Sequence, residues 1–252
     1  MAATDALLAT ALRRDPAGPL LTFYDDSAGE RAELSAVTLA NWVAKTANLL
    51  CDDAGLAVGD RVAVLLPVHW QTAAVLLAAW SAGAVVSTDP AGAAVAFTDA
   101  PRAPTATAAA AGEVFAVSLA SLGRGFEAGP PPGTRDYALE VRAHGDRFTP
   151  PVPVPASAPA LQADEFVSTG TDLVEIAHRR AAELGLLDRD RLLSTLPWDG
   201  PVDWVDCLLA PLAAGASLVL CAHPDPEAMA RRAEAEHVTA TLGVAVPGIR
   251  TL

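Results

Sequence analysis

Between Arg61 and Asp89 the chain carries no formal charge apart from whatever His69 bears. An apolar stretch of that length fits a membrane span or the buried centre of a large α/β fold. Pro67 and Gly83 decide between them, because they cut the run into three pieces. Val62-Ala63-Val64-Leu65-Leu66 reads as a buried strand. Trp70 to Ala82 reads as an Ala/Leu-rich helix, and Ala84-Val85-Val86 as the next strand. The result is a β–α–β unit covered on both faces, as a parallel sheet requires.

The flanking pattern extends this reading. Asp5 to Arg13 has the spacing of a short amphipathic helix. Leu20 to Tyr24 and Ala32 to Leu34 read as a hairpin joined by a polar turn ending Gly29-Glu30. Ser35 is placed to cap a helix whose apolar face includes Leu39, Trp42, Thr46, Leu49 and Leu50, and Gly55 ends it. Weak strands are expected at Val95-Ala96-Phe97 and Val114 to Val117, and one strand across Asp136 to Val141. Glu165 to Ser168, Arg191 to Thr195, Ser217 to Cys221 and Thr239 to Val244 read as further strands. Helices at Asp172 to Leu184, Val202 to Leu212 and Pro226 to Glu236 separate them. The whole is expected to be one α/β domain spanning residues 1–252, with a mostly parallel sheet and helices on both faces. It is interrupted by an irregular Pro/Gly-rich stretch at about 121–160, in which Thr149 to Pro159 reads as an exposed polyproline-like linker. No repeat of fixed period stands out.

Composition narrows the partners. A hydrophobic content of 52% supports a sizeable core. A net charge of −13 disfavours nucleic acid and anionic membranes, whose phosphates would repel such a surface. Cys51, Cys207 and Cys221 are odd in number and widely spaced, which suggests neither a disulfide framework nor a zinc site. Asp5 precedes Arg13-Arg14, the wrong order for a secretion signal, so a cytoplasmic location is expected. Of 17 basic residues only Lys45 is a lysine, and it falls in what reads as a surface helix.

Three motifs merit weighing. Gly123-x-Gly125-x-x-Ala128 imitates a dinucleotide fingerprint, but Pro130-Pro131-Pro132 prevents the helix that a real one opens. Glu175 and His178 share a helix face without a second cluster to complete a metal site, and the neighbouring Arg179 and Arg180 mark a solvated face. Ser168-Thr169-Gly170-Thr171 lies between a strand and a helix, where hydroxyls and free amides suit a phosphate. Asp172 follows, and it would cap those amides itself, so an ordinary helix N-cap is the competing reading.

Longer stretches carry a family pattern. LSAVTLANWVAKTANLL and GLAVGDRVAVLLPVHWQTAAVLLAAWSAGAVVSTDP resemble the opening of the adenylate-forming superfamily: acyl-CoA synthetases, peptide-synthetase adenylation domains and luciferases. DRDRLLSTLPW, LLAPLAAGASLVL and HVTATLGVAVP are similar to later segments of its N-terminal part, in the same order. A group of short actinobacterial-type proteins, homologous to that part only, is similar in extent. The resemblance implies a carboxylate-activating fold and matches the phosphate loop to Ser168, Thr169, Gly170 and Thr171, without the Pro-Lys-Gly that follows it in the family. The family's adenine-binding segment, magnesium-binding acid, ribose-binding Asp and C-terminal catalytic Lys have no counterpart up to Leu252. The expectation is a truncated homologue without catalytic residues or metal, acting as a small-molecule-binding or protein-interaction module. ATP, AMP or acyl-CoA are the cofactors such a fold would admit. Residual or trans-complemented ligase activity and a purely structural or regulatory role are the alternatives. A homodimer or hetero-partner is expected to use the C-terminal side, around Val238 to Leu252.

Overall fold

The computed structural model describes residues 2–110 and 112–252. The first half runs α1 (Asp5–Arg14), β1 (Pro19–Asp25), β2 (Glu30–Ser35), α2 (Ala36–Asn48), β3 (Arg61–Leu65), α3 (Trp70–Ser81), β4 (Val85–Ser87), β5 (Val95–Thr98), α4 (Ala103–Ala109), β6 (Glu113–Ala116), β7 (Arg135–Asp136) and α5 (Tyr137–Glu140). The second runs β8 (Pro159–Ala163), β9 (Phe166–Thr169), α6 (Gly170–Glu183), β10 (Arg191–Ser194), α7 (Pro201–Trp204), α8 (Ala210–Ala214), β11 (Ser217–Ala222), α9 (Met229–Ala235), β12 (Ala240–Leu242) and β13 (Arg250–Thr251).

These elements form two compact units with interleaved chain segments. Unit 1 takes the chain up to Ala6, Ala40–Pro67 and Gln71–Leu173. Unit 2 takes Leu7–Leu39, Val68–Trp70 and Val174–Leu252. Unit 1 holds a seven-stranded sheet in the order β7-β6-β5-β3-β4-β8-β9, and unit 2 a six-stranded sheet in the order β13-β12-β10-β11-β1-β2. In each sheet every pair is parallel except one edge hairpin, β8–β9 in unit 1 and β1–β2 in unit 2. The α/β class and the parallel pairing hold, with the strands shared between two sheets.

The uncharged run has its physical cause in unit 1. Val62, Val86, Phe97 and Phe115 are fully buried strand residues, and Ala73, Ala74, Val75 and Leu76 of α3 are equally buried. A helix hidden on successive positions cannot keep a charged face. In unit 2 the central strands supply Leu192, Leu193, Val219 and Leu220. The helix after β10 is broken by a π turn over Val205–Leu209, with the Ala210 N–H bonding back to Val205. Pro211 explains it, because its ring would crowd the carbonyl four residues earlier in a regular α-helix.

The two units are one design used twice. Reading both sheets from the hairpin edge, β9/β2, β8/β1, β4/β11, β3/β10, β5/β12 and β6/β13 occupy matching positions. Both hairpins slip register at the same place, between Pro19 and Leu21 and between Pro159 and Leu161. Each runs into a helix capped by a hydroxyl: Ser35 Oγ accepts from Thr38 N–H, and Thr169 Oγ1 from Asp172 N–H, both at 3.2 Å. Asp60 and Asp190 each accept the N–H three residues back, and Gly83 and Gly215 each sit left-handed after the following helix. Equivalent residues have no constant spacing, which is why the sequence shows no fixed period.

Four local expectations are corrected. Asp136 to Val141 is a strand only at Arg135–Asp136, because the Asp136 carboxylate caps Ala138 at 3.0 Å and starts α5. The Thr149 to Pro159 stretch is exposed apart from buried Val154 and the part-buried Pro150 and Ala158, and its end is tied to the start of α6. The last two elements are shorter than expected, at Met229–Ala235 and Ala240–Leu242, and Gly243 at φ +82 ends the strand. Lys45 is no free surface lysine. Its ammonium donates to the His144 carbonyl at 2.6 Å and pairs with Asp146 at 2.9 Å.

Candidate functional site

Open parallel sheets bind ligands outside the carboxyl ends of their strands, where the strand order reverses. In unit 1 that point lies between β3 and β5, in unit 2 between β10 and β12. The sequence-derived loop, Ser168 to Thr171, is elsewhere. β9 is antiparallel to β8, and Thr169 pairs with Pro159 at the beginning of β8. The loop therefore lies at the amino edge of unit 1's sheet. The turn that reaches the carboxyl edge is Asp164-Glu165, two exposed acidic residues.

The loop is also self-satisfied. Gly170 N–H donates to the Ala158 carbonyl and Thr171 N–H to the Ala156 carbonyl, both at 2.9 Å. Asp172 N–H donates to Thr169 Oγ1. In return the Asp172 carboxylate accepts from Thr169 N–H at 2.9 Å and from its hydroxyl at 2.7 Å. This reciprocal pairing is a capping box. The Thr169 amide and then its hydroxyl hold the Asp172 carboxyl below the usual range. The amides of the first three helical residues are thus engaged, and a carboxylate sits where a phosphate oxygen would seek them. Ser168 is part-buried on β9 and brings no further donor into this pairing.

The carboxyl edge of unit 2 holds a cluster that sequence reading missed. The Asp25 carboxylate accepts from Ser27 N–H at 2.9 Å and Ser27 Oγ at 2.7 Å, and lies 3.1 Å from His223 Nδ1. Ser27 Oγ is 3.3 Å from the same nitrogen. Serine, histidine and aspartate are together, but a catalytic triad uses opposite ring nitrogens for its two partners. Here one nitrogen faces both, so the group folds a turn. Burial would raise the Asp25 pKa, but the Ser27 hydroxyl and His223 outweigh it and lower it. Nearby, Ser194 Oγ at the end of β10 meets Cys207 Sγ at 3.5 Å, and burial pushes that thiol up to about 11, away from nucleophilic use at neutral pH. Glu175 and His178 are exposed on α6, and among the described residues no three His, Cys, Asp or Glu side chains gather as a metal site needs.

Unit 2 also contains a dense charge network. Glu236 accepts from Tyr24 Oη at 2.6 Å, Arg31 Nη2 at 2.8 Å and Arg191 Nη2 at 2.6 Å. Arg232 lies 4.1 Å over the Tyr24 ring and pairs with Asp26. Every charge here has a partner, which marks the network as structural.

No protein-family model matches the chain. It is 48% identical over 245 residues to a TIGR03089 family protein of Mycobacterium tuberculosis (strain ATCC 25618 / H37Rv), covering 94% of this chain and 96% of that one. The chain belongs to the TIGR03089 family. Among solved structures it resembles the acetoacetyl-CoA synthetase from Streptomyces lividans, with TM-score 0.75, 21% identity, and 96% of this chain covered against 42% of that one. The N-terminal domain of FACL13 from Mycobacterium tuberculosis gives TM-score 0.70 at 21% identity, over 96% of this chain and 63% of that one. A coronafacic acid ligase from Pectobacterium brasiliense gives TM-score 0.74 at 13% identity, over 96% and 50%. At these identities the likeness is one of fold. This family member shares the fold of these structures and spans only part of their longer chains. Among the described residues, no helix is long and apolar enough to cross a membrane.

Proposed function

We propose that this protein does not adenylate carboxylic acids and serves as a binding or interaction module on the adenylate-forming fold. The observation that carries this reading is the exposed acidic Asp164-Glu165 turn at the carboxyl edge of unit 1's sheet, while the Ser168–Thr171 loop lies at the amino edge, closed by the Thr169–Asp172 capping box. Activation of a carboxylate by ATP depends on positioned donors and cations around the phosphates. Here the acidic Asp164-Glu165 turn occupies the hairpin tip, and the sole lysine is engaged with His144 and Asp146. ATP–pyrophosphate exchange with a panel of carboxylic acids tests the reading directly. Exchange stays at background. Exchange that disappears on Thr169→Ala would overturn it and promote a residual ligase.

A second reading has its own support. The chain covers 42% and 63% of the first two solved relatives, so activity completed by another chain is compatible with the fold. The contact would lie at the C-terminal side of unit 2, where β13 is an edge strand with both residues exposed. An exposed edge offers unpaired backbone groups to a partner or to a second copy. Sedimentation at micromolar concentration separates the outcomes. A clean monomer with the Val238 to Leu252 amides already protected from exchange would remove this reading.

A further inference from the structure

We propose that a groove at the amino edge of unit 2's sheet binds a small aliphatic carboxylate, anchored by Arg189. The groove has a volume of about 430 Å³, within the range of small-molecule pockets. Leu20, Ala36, Leu212 and Ala216 form its floor, all buried, and the two arginines stand on its rim.

The internal repeat shows what is unusual here. Unit 1 has the same corner, with Trp80 in place of Leu212, Gly83 in place of Gly215 and Gly170 in place of Ala36. There Ala2 to Thr4 and Val154-Pro155 close it and leave about 10 Å³, room for no more than one water. The Trp80 indole adds bulk and donates to the Ala160 carbonyl at 2.8 Å. In unit 2 leucine replaces that tryptophan, and the end of α1 alone does the work of two segments. The open volume is what those two changes leave.

The rim chemistry selects the ligand. Arg14 pairs with Asp188 and donates to the Gly215 carbonyl at 2.6 Å. Asp15 accepts from Gly18 N–H at 2.8 Å. Arg189 remains 80% exposed, with Asp188 no nearer than 3.8 Å. Its backbone is left-handed at φ +66, a conformation that non-glycine residues rarely hold. A guanidinium fork pairs a carboxylate through two parallel bonds. The apolar floor asks for a short alkyl chain behind that carboxylate. Inorganic phosphate would satisfy the fork and leave the floor bare. The groove lies at the opposite edge of the sheet from the switch point between β10 and β12, so it is a separate site.

The test is a titration of the isotope-labelled full chain with hexanoate, following amide shifts by NMR. Saturable shifts are expected at Gly18, Leu20, Gly215 and Ser217. Hexanol and inorganic phosphate should each bind at least about fivefold more weakly, and so should hexanoate to Arg189→Ala. Ala11→Trp fills the groove and leaves both arginines, and should abolish the shifts. Leu212→Trp, which restores the residue of the other repeat, is the second filling variant should Ala11→Trp fail to fold. Absence of saturable shifts at these amides overturns the proposal. So do shifts retained in Arg189→Ala and a folded filling variant, and so does phosphate binding as tightly as hexanoate.

Discussion

Arg191 and Glu236 meet at 2.6 Å with side chains only 12% and 6% exposed. Burial alone would raise the glutamate pKa. The hydrogen bonds from Tyr24, Arg191 and Arg31 outweigh it and hold the carboxyl at about 2, against an ordinary 4.5. Since the folded value is the lower one, the stabilisation is fully present above pH 4.5 and disappears as pH falls towards 2. Thermal midpoints should drop across that window, and Glu236→Gln should flatten the drop. At neutral pH the same variant should cost about 3 kcal/mol, because it leaves Arg191 buried without its counter-charge. A wild-type profile flat from pH 5 to 2 would contradict this assignment.

Gly215 and Gly185 make a paired test of backbone strain against crowding. Both are left-handed, at φ +80 and +69. A Cβ on Gly185 meets nothing within 4 Å, whereas one on Gly215 would collide with Arg14 Nη2 and meet Asp188 Oδ1 at 2.7 Å. Gly185→Ala should cost about 1 kcal/mol and Gly215→Ala about 2–3 kcal/mol in urea denaturation. Equal costs would show that the ion pair yields freely.

Lys45 and Asn48 together hold the segment after α5. Lys45 bonds the His144 carbonyl, and Asn48 Nδ2 bonds the carbonyls of Gly145 at 3.0 Å and Arg147 at 2.9 Å. Lys45→Met should destabilise by about 1.5 kcal/mol. Hydrogen exchange at residues 144–147 should quicken in the variant while β3 to β6 stay protected. Unchanged exchange there would mean the clamp is redundant.

The hairpins predict how the chain can be cut. β1 and β2 belong to the sheet built by β10 to β13, and β8 and β9 to the sheet built by β3 to β7. Neither 1–150 nor 151–252 should fold alone, because each lacks the edge hairpin of the sheet it carries. Co-expressed, they should assemble into one species with a single thermal transition. Independent cooperative folding of either fragment would refute the exchange.

The buried β–α–β unit was legible because charge is absent over one long stretch and Pro67 and Gly83 mark its corners. The Thr169–Asp172 cap was legible too, from a hydroxyl and a carboxylate three residues apart. Its position at the amino edge was not, since that depends on β9 turning back along β8, and nothing local encodes which sheet a hairpin joins. The same holds for the Asp25, Ser27 and His223 cluster, whose members lie far apart in sequence. β13 escaped notice because two residues carry no period, and α4 because its composition, largely Ala, Pro and Thr, has no amphipathic stripe.

The two glycine corners differ in what covers them. Over Gly83 a Cβ would meet methyl groups of Val58 and Val154, and over Gly215 it would meet an ion pair with side chains 34% and 62% exposed. Dissolved salt acts oppositely on these two coverings. Screening weakens the Arg14–Asp188 attraction over a Debye length of about 8 Å at physiological ionic strength. Strongly excluded anions such as sulfate tighten apolar packing. Ionic strength therefore sets which repeat loosens first: in concentrated sulfate the corner at Gly215 gives way while the one at Gly83 is held more firmly.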